Sequence, residues 1–137
     1  MPLLYLDSSA LVKLVREEPE SAVLRDFLAD ADLVSGELVL TEVPRAIRRA
    51  AGLDPRLPTE RLMTQAEALL DALALLPLDR GLLAAAGAFD ETTLRALDAI
   101  HLACAIDVAP IDGFVSYDER QCRAARLAGL QTVTPGR

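Results

Sequence analysis

Four acidic residues, Asp7, Glu42, Asp98 and Asp118, stand where ordinary surface charge does not explain them. Asp7 closes the apolar run Leu3-Leu4-Tyr5-Leu6, and Asp118 closes the run 113–117. In open parallel sheets ligands gather beyond the carboxyl ends of the strands, so acids at those ends can do chemistry. Asp98 lies within residues 94–106, a helix apolar on nearly every face. An unpaired carboxylate there would cost several kcal/mol and be driven toward protonation, so a cationic partner is expected. The neighbouring Arg95 points about 60° away on the helical wheel and serves poorly. Glu42 opens the helix after the second strand, where the positive end of the helix dipole favours an anion. If the four converge, their repulsion requires a divalent cation, and all-oxygen ligation of that kind suits Mg²⁺ or Mn²⁺ rather than zinc. Hard-cation chemistry on a phosphoryl group is the natural use of such a cluster.

Each acid also has a purely structural reading. Asp7 could cap the first helix, Glu42 could compensate a dipole, and Asp118 could belong to a turn. The signal is their joint placement at three strand exits and inside one apolar helix.

The elements that must position them read as alternating strands and helices. The run 3–6 is a strand buried on both faces, feeding a helix capped by Ser8 or Ser9 that carries Leu11, Leu14 and Val15. Pro19 suits the first turn of a second helix, with Val23, Leu24, Phe27 and Leu28 as its apolar stripe. Residues 33–35 form a second strand, and a helix starts near Leu40 or Thr41, so that Pro44 falls in its opening turn. After a loop at 52–58, a long helix runs from Thr59 through Leu73. A strand is expected at 75–78, with Pro77 pointing to an edge or an end position. Helices over 80–88 and 93–106, a strand at 113–118, a helix over 119–128 and a last strand at 131–134 complete the chain. This alternation predicts one α/β domain spanning residues 1–137, with a central, mostly parallel sheet covered on both sides.

The 137 residues are 52% hydrophobic and 26% charged, which is globular composition for a single core. A formal charge of −7 excludes indiscriminate binding of polyanions through a basic surface, so nucleic acid must be met locally. Arg45, Arg48, Arg49 and Arg56 form a basic patch beginning one turn from Glu42, placed to hold flanking phosphates or to form a solvated helix face. Cys104 and Cys122 lack metal or disulfide spacing, which fits a reducing cytoplasm. No apolar run approaches the length of a signal or membrane segment. A phosphoacceptor receiver domain also groups aspartates around Mg²⁺, but no paired acids precede Asp7, and the chain has no lysine beyond Lys13 to contact a phosphoryl group.

The segments 6–14, Glu42 with Arg45-Ala46, Leu94 to Ala103 around Asp98-Ala99-Ile100-His101, and Phe114-Val115-Ser116-Tyr117-Asp118 resemble a PIN domain, and more narrowly the VapC toxins of toxin–antitoxin pairs. The resemblance covers essentially the whole chain. It implies a three-layer α/β/α fold, Mg²⁺-dependent endoribonuclease activity, inhibition by a VapB-like antitoxin, and a homodimer. The family's acidic quartet falls on Asp7, Glu42, Asp98 and Asp118, with Asp7 and Asp98 expected on the principal ion. Ser116 takes the place of the family's small hydroxyl residue and Ser8 that of the polar residue after the first Asp; both are expected to orient carboxylates or waters. His101, one turn after Asp98, is expected to support the site rather than act as a base. Leu11, Leu14, Val15, Leu40 and Val43 are candidates for a groove that receives an amphipathic antitoxin segment.

Overall fold

The run Leu3–Leu6 forms β1 at the centre of a five-stranded, wholly parallel sheet. Alternate side chains of a strand face opposite ways, and here both ways lead to a core: Leu4 and Leu6 pack into one cluster, Tyr5 into the other. The computed structural model describes residues 1–137. Following β1 come α1 (Ser8–Val15), α2 (Ser21–Leu28), β2 (Asp32–Gly36), α3 (Val39–Leu53), α4 (Thr59–Ala72) and β3 (Ala74–Leu76). The chain ends with α5 (Arg80–Gly87), α6 (Ala96–Val108), β4 (Gly113–Val115), α7 (Glu119–Leu127) and β5 (Thr132–Val133).

The strand order is β3-β2-β1-β4-β5. The first two crossovers walk outward from β1 and lay α1 to α4 on one face, around Leu11, Leu24, Val43, Ile47 and Leu62. The chain then returns to the other side of β1, and α5 to α7 cover the opposite face around Leu102, Ala103, Cys104 and Ala125. A change of face is what right-handed crossovers require when the direction of travel reverses. The result is the three-layer α/β/α arrangement implied by the resemblance, and its switch point lies between β1 and β4, paired through Tyr5 and Phe114. No helix is long and apolar enough to cross a membrane.

Three helix starts differ from the sequence reading, each because a side chain claims a backbone amide. Asp7, not a serine, caps α1: its Oδ1 accepts from Ala10 N at 3.1 Å. Helix α2 starts at Ser21 rather than Pro19, because the buried Ser21 hydroxyl donates to Lys13 O and accepts from Glu18 N. Helix α6 starts at Ala96 rather than Thr93, whose N–H and hydroxyl are both taken by the Glu91 carboxylate. A fourth start, that of α3, moves the other way: the helix begins at Val39, so Pro44 lies inside it, past the opening turn. The bond that Pro44 cannot donate would go to the carbonyl of Leu40, a residue 50% exposed.

Glycine at 36 is needed for a close approach. A Cβ there would stand 2.7 Å from Cys104 Sγ and 2.8 Å from Leu38 Cδ2, with the Tyr5 hydroxyl at 3.3 Å. Its absence lets the end of β2 lie against α6.

Candidate active site

Asp7 leaves β1 at the switch point and is only 4% exposed. Its Oδ1 accepts from the Ser9 hydroxyl at 2.6 Å as well as from Ala10 N, and its Oδ2 accepts from the Ser116 hydroxyl. The two serines in turn hold the exit of β4: Tyr117 N donates to Ser9 Oγ at 3.0 Å and Asp118 N to Ser116 Oγ at 3.1 Å. Burial pushes the Asp7 carboxyl above the usual carboxylate range, opposed by His101, Ser116, Ser9 and the Ala10 amide. Ser116 does orient a carboxylate as expected. Ser8 does not: the serine that bonds Asp7 is Ser9, while Ser8 lines the neighbouring cavity.

Glu42 sits in the first turn of α3. Its Oε1 lies 2.7 Å from His101 Nε2, and His101 Nδ1 lies 2.8 Å from the Tyr5 hydroxyl. Burial holds the Tyr5 phenol well above its ordinary value, so the hydroxyl keeps its proton and is able to donate to Nδ1. An imidazole that accepts there presents its N–H to Glu42 from Nε2.

Asp98 falls in the first turn of α6, because that helix starts later than its apolar pattern indicates. The cationic partner expected for it is not there: no Lys or Arg forms an ion pair with Asp98, and the helix N-terminus takes that place. The field does not suffice to offset its surroundings. Burial raises the Asp98 carboxyl, and Asp118, Asp7 and Glu42 raise it further, with His101 alone opposing. Asp118, exposed, caps α7 through Oδ1, which accepts from Arg120 N at 2.9 Å and Gln121 N at 3.1 Å. Gln121 ties the two helices together by donating to Asp98 O at 3.0 Å.

Glu42, Asp98 and Asp118 line one cavity of about 610 Å³ together with Ser8; Asp7 does not line it and is tied to its edge through the Ser116 hydroxyl, which also accepts from Asp118 N. The structural readings of Asp7 and Asp118 as helix caps are therefore true, and Asp118 still reaches the cavity. Arg45 and Arg49 form part of the cavity wall; Arg48 and Arg56 do not. Arg95, which caps α6, lines the same cavity and was missed because the sequence pattern put it inside the helix. The groove candidates Leu11, Val15 and Val43 are core residues, but Leu40 is half exposed. It lines a separate cavity of about 350 Å³ between α3 and α4, with Pro44, Met63 and Leu70.

Chemically the site is a set of hard oxygen donors, none of them ion-paired to a Lys or Arg, which fits a small divalent cation. As the side chains stand, no three His, Cys, Asp or Glu groups come close enough to hold an ion among themselves. A cation that keeps several waters in its shell, as Mg²⁺ does, needs only one or two direct carboxylates.

A PIN domain family model matches residues 4–127 of the chain. Ribonuclease VapC47 of Mycobacterium tuberculosis (strain CDC 1551 / Oshkosh) is 36% identical over 140 residues, covering 98% of both chains. Ribonuclease VapC46 of strain ATCC 25618 / H37Rv is 39% identical over 137 residues, 98% of this chain and 99% of the relative. Among solved structures, the fold matches the sarcin-ricin loop cleaving toxin VapC20 of Mycobacterium tuberculosis with a TM-score of 0.74 at 17% identity, covering 96% of this chain and 99% of that one. It also matches a chain of VapBC2 from Rickettsia felis, solved bound to a promoter DNA fragment, with a TM-score of 0.66 at 14% identity, covering 96% and 97%.

Proposed function

The chain belongs to the PIN-domain family, and we propose that it is a Mg²⁺-dependent endoribonuclease, the toxin of a VapBC-type toxin–antitoxin pair. One observation carries the reading: Glu42, Asp98 and Asp118 line a single cavity, Asp7 is tied to its edge through Ser116, and no Lys or Arg is ion-paired to any of the four. Asp7 and Asp98 would hold the principal ion; Glu42 and Asp118 would hold a second ion or its waters, and one of these two would take the proton of the attacking water. When bound, Mg²⁺, with Mn²⁺ as a substitute, supplies charge stabilisation at the phosphoryl oxygens and a lowered pKa for a coordinated water. Ser9 and Ser116 fix the Asp7 carboxylate, so its oxygens are aimed before anything binds. Arg45, Arg49 and Arg95 receive the flanking phosphates of the RNA on the cavity wall, with Arg48 outside it on the same helix.

The antitoxin is a VapB-like protein acting in the cytoplasm. The cavity beside Leu40 would seat its apolar segment, and an Arg or Lys from it would neutralise the acids in place of metal. Two toxin copies form a homodimer. Cleavage of a structured RNA by wild type and by Asp98→Asn, in Mg²⁺ and after chelation, tests the nuclease reading. Wild type cuts only with metal, and the variant is slower by at least about 100-fold. Equal rates would remove Asp98 from the mechanism; a wild type that neither binds metal nor cuts would leave only a binding module.

A further inference from the structure

We propose that His101 is the positioning residue of the site, a fixed-tautomer strut that aims the Glu42 carboxylate at the cavity and is itself locked by the Tyr5 hydroxyl. The inference rests on the ribonuclease reading for what Glu42 does, but the strut is a property of the protein alone. Three elements contribute one residue each: Tyr5 from β1, His101 from α6 and Glu42 from α3, with contacts of 2.8 and 2.7 Å. They lie 96 and 59 positions apart in the chain, so no local turn accounts for the alignment. His101 is 1% exposed and Tyr5 fully buried, whereas the Glu42 side chain is 16% exposed and reaches the cavity. The imidazole therefore does not meet substrate; it acts through Glu42.

The ring is pinned on more than one side. Tyr5 stacks on Phe114 at 5.4 Å with an interplanar angle of 6° and meets the His101 ring edge-on at 5.8 Å. A long flexible carboxylate lining an open cavity has several rotamers to choose from, and a buried N–H donor selects one. Only Nε2 can serve, because Nδ1 faces the Tyr5 hydroxyl. Outer partners of this kind are worth about 10- to 100-fold in activity.

Glutamine and asparagine separate a strut from a filler. The amide nitrogen of Gln reaches the place of Nε2, while that of Asn reaches only the place of Nδ1. In RNA cleavage with Mg²⁺, His101→Asn is expected to lose about 10- to 100-fold in kcat with KM little changed, and His101→Gln to stay within a few-fold of wild type. The double variant His101→Asn with Glu42→Gln should be no slower than Glu42→Gln alone, since both remove the same aimed carboxylate. Independently of cleavage, the imidazole nitrogen–proton correlation spectrum of the metal-free wild type should show Nε2 protonated and Nδ1 bare, and Tyr5→Phe should mix the two tautomers.

Equal losses for Asn and Gln, additive effects in the double variant, or a proton on Nδ1 would overturn the proposal. Should wild type fail to cleave RNA, the ribonuclease reading falls while the metal-free spectrum still decides the strut. Should His101→Asn fail to fold, the spectrum and the Gln variant decide it.

Discussion

The two halves of the acidic site are built on opposite plans. In the inner half, Asp7 receives three donors and Glu42 a fourth, all from groups that are themselves held; in the outer half, Asp98 receives none and Asp118 is exposed apart from its cap bonds. Rigid aim is thus concentrated where the chain is buried, and uncompensated charge where water can enter. A site meant only to stabilise the fold would neutralise Asp98 rather than surround it with acids. The inner half fixes direction, and the outer half leaves freedom for whatever arrives.

The contrast is sharpest in activity, where Asp98→Asn is expected to remove at least about 100-fold of metal-supported cleavage, as measured on a structured RNA. In stability the two halves should move in opposite directions. Ser116→Ala strips a donor from the buried Asp7 carboxylate and should cost about 1 to 3 kcal/mol in denaturant unfolding, whereas Ser8→Ala, which breaks no hydrogen bond, should cost less than about 0.5 kcal/mol. Equal costs would remove Ser116 as the brace of the Asp7 carboxylate.

In the outer half, Asp98→Asn should raise the melting temperature of the metal-free protein near pH 7 by about 2 to 5 °C. The sign follows from the direction of the shift. A carboxyl raised in the folded state favours folding while protonated, and that contribution is lost as pH rises through the folded value. The difference between variant and wild type should therefore shrink as pH falls toward the ordinary carboxylate range, and Mg²⁺ should stabilise wild type more than the variant. A variant that melts lower at pH 7 would contradict the charge balance assigned to the site. The smallest effect belongs to the cavity wall: Arg95→Ala should weaken RNA binding by a few-fold and flatten its salt dependence by about one phosphate contact, while Arg48→Ala leaves both unchanged.

Three of the acids were legible in the sequence because each breaks a local rule, an anion ending a buried run or one set in an apolar helix, whereas Glu42 was marked only by its place at a helix start and by the family resemblance. The sheet was legible for the same reason, since strands such as 3–6 and 113–115 are apolar without alternation. What stayed hidden was fixed by side chains competing for backbone amides. Asp7 taking the cap moves the orienting role from Ser8 to Ser9, and Glu91 taking Thr93 moves Asp98 into the first turn of α6. Neither outcome follows from apolar periodicity, which registers faces and not termini. The Tyr5–His101–Glu42 alignment is a tertiary fact, and only the place of His101 one turn after Asp98 hinted at it.

The pairing of β1 with β4 bears on synthesis as well as on shape. Asp7 is made long before β4 at Gly113–Val115, the strand that seats it, and the Ser116 that braces it. A nascent chain that has not reached β4 has no assembled centre, so an enzyme with the proposed taste for RNA would be harmless to the ribosome until that strand is made.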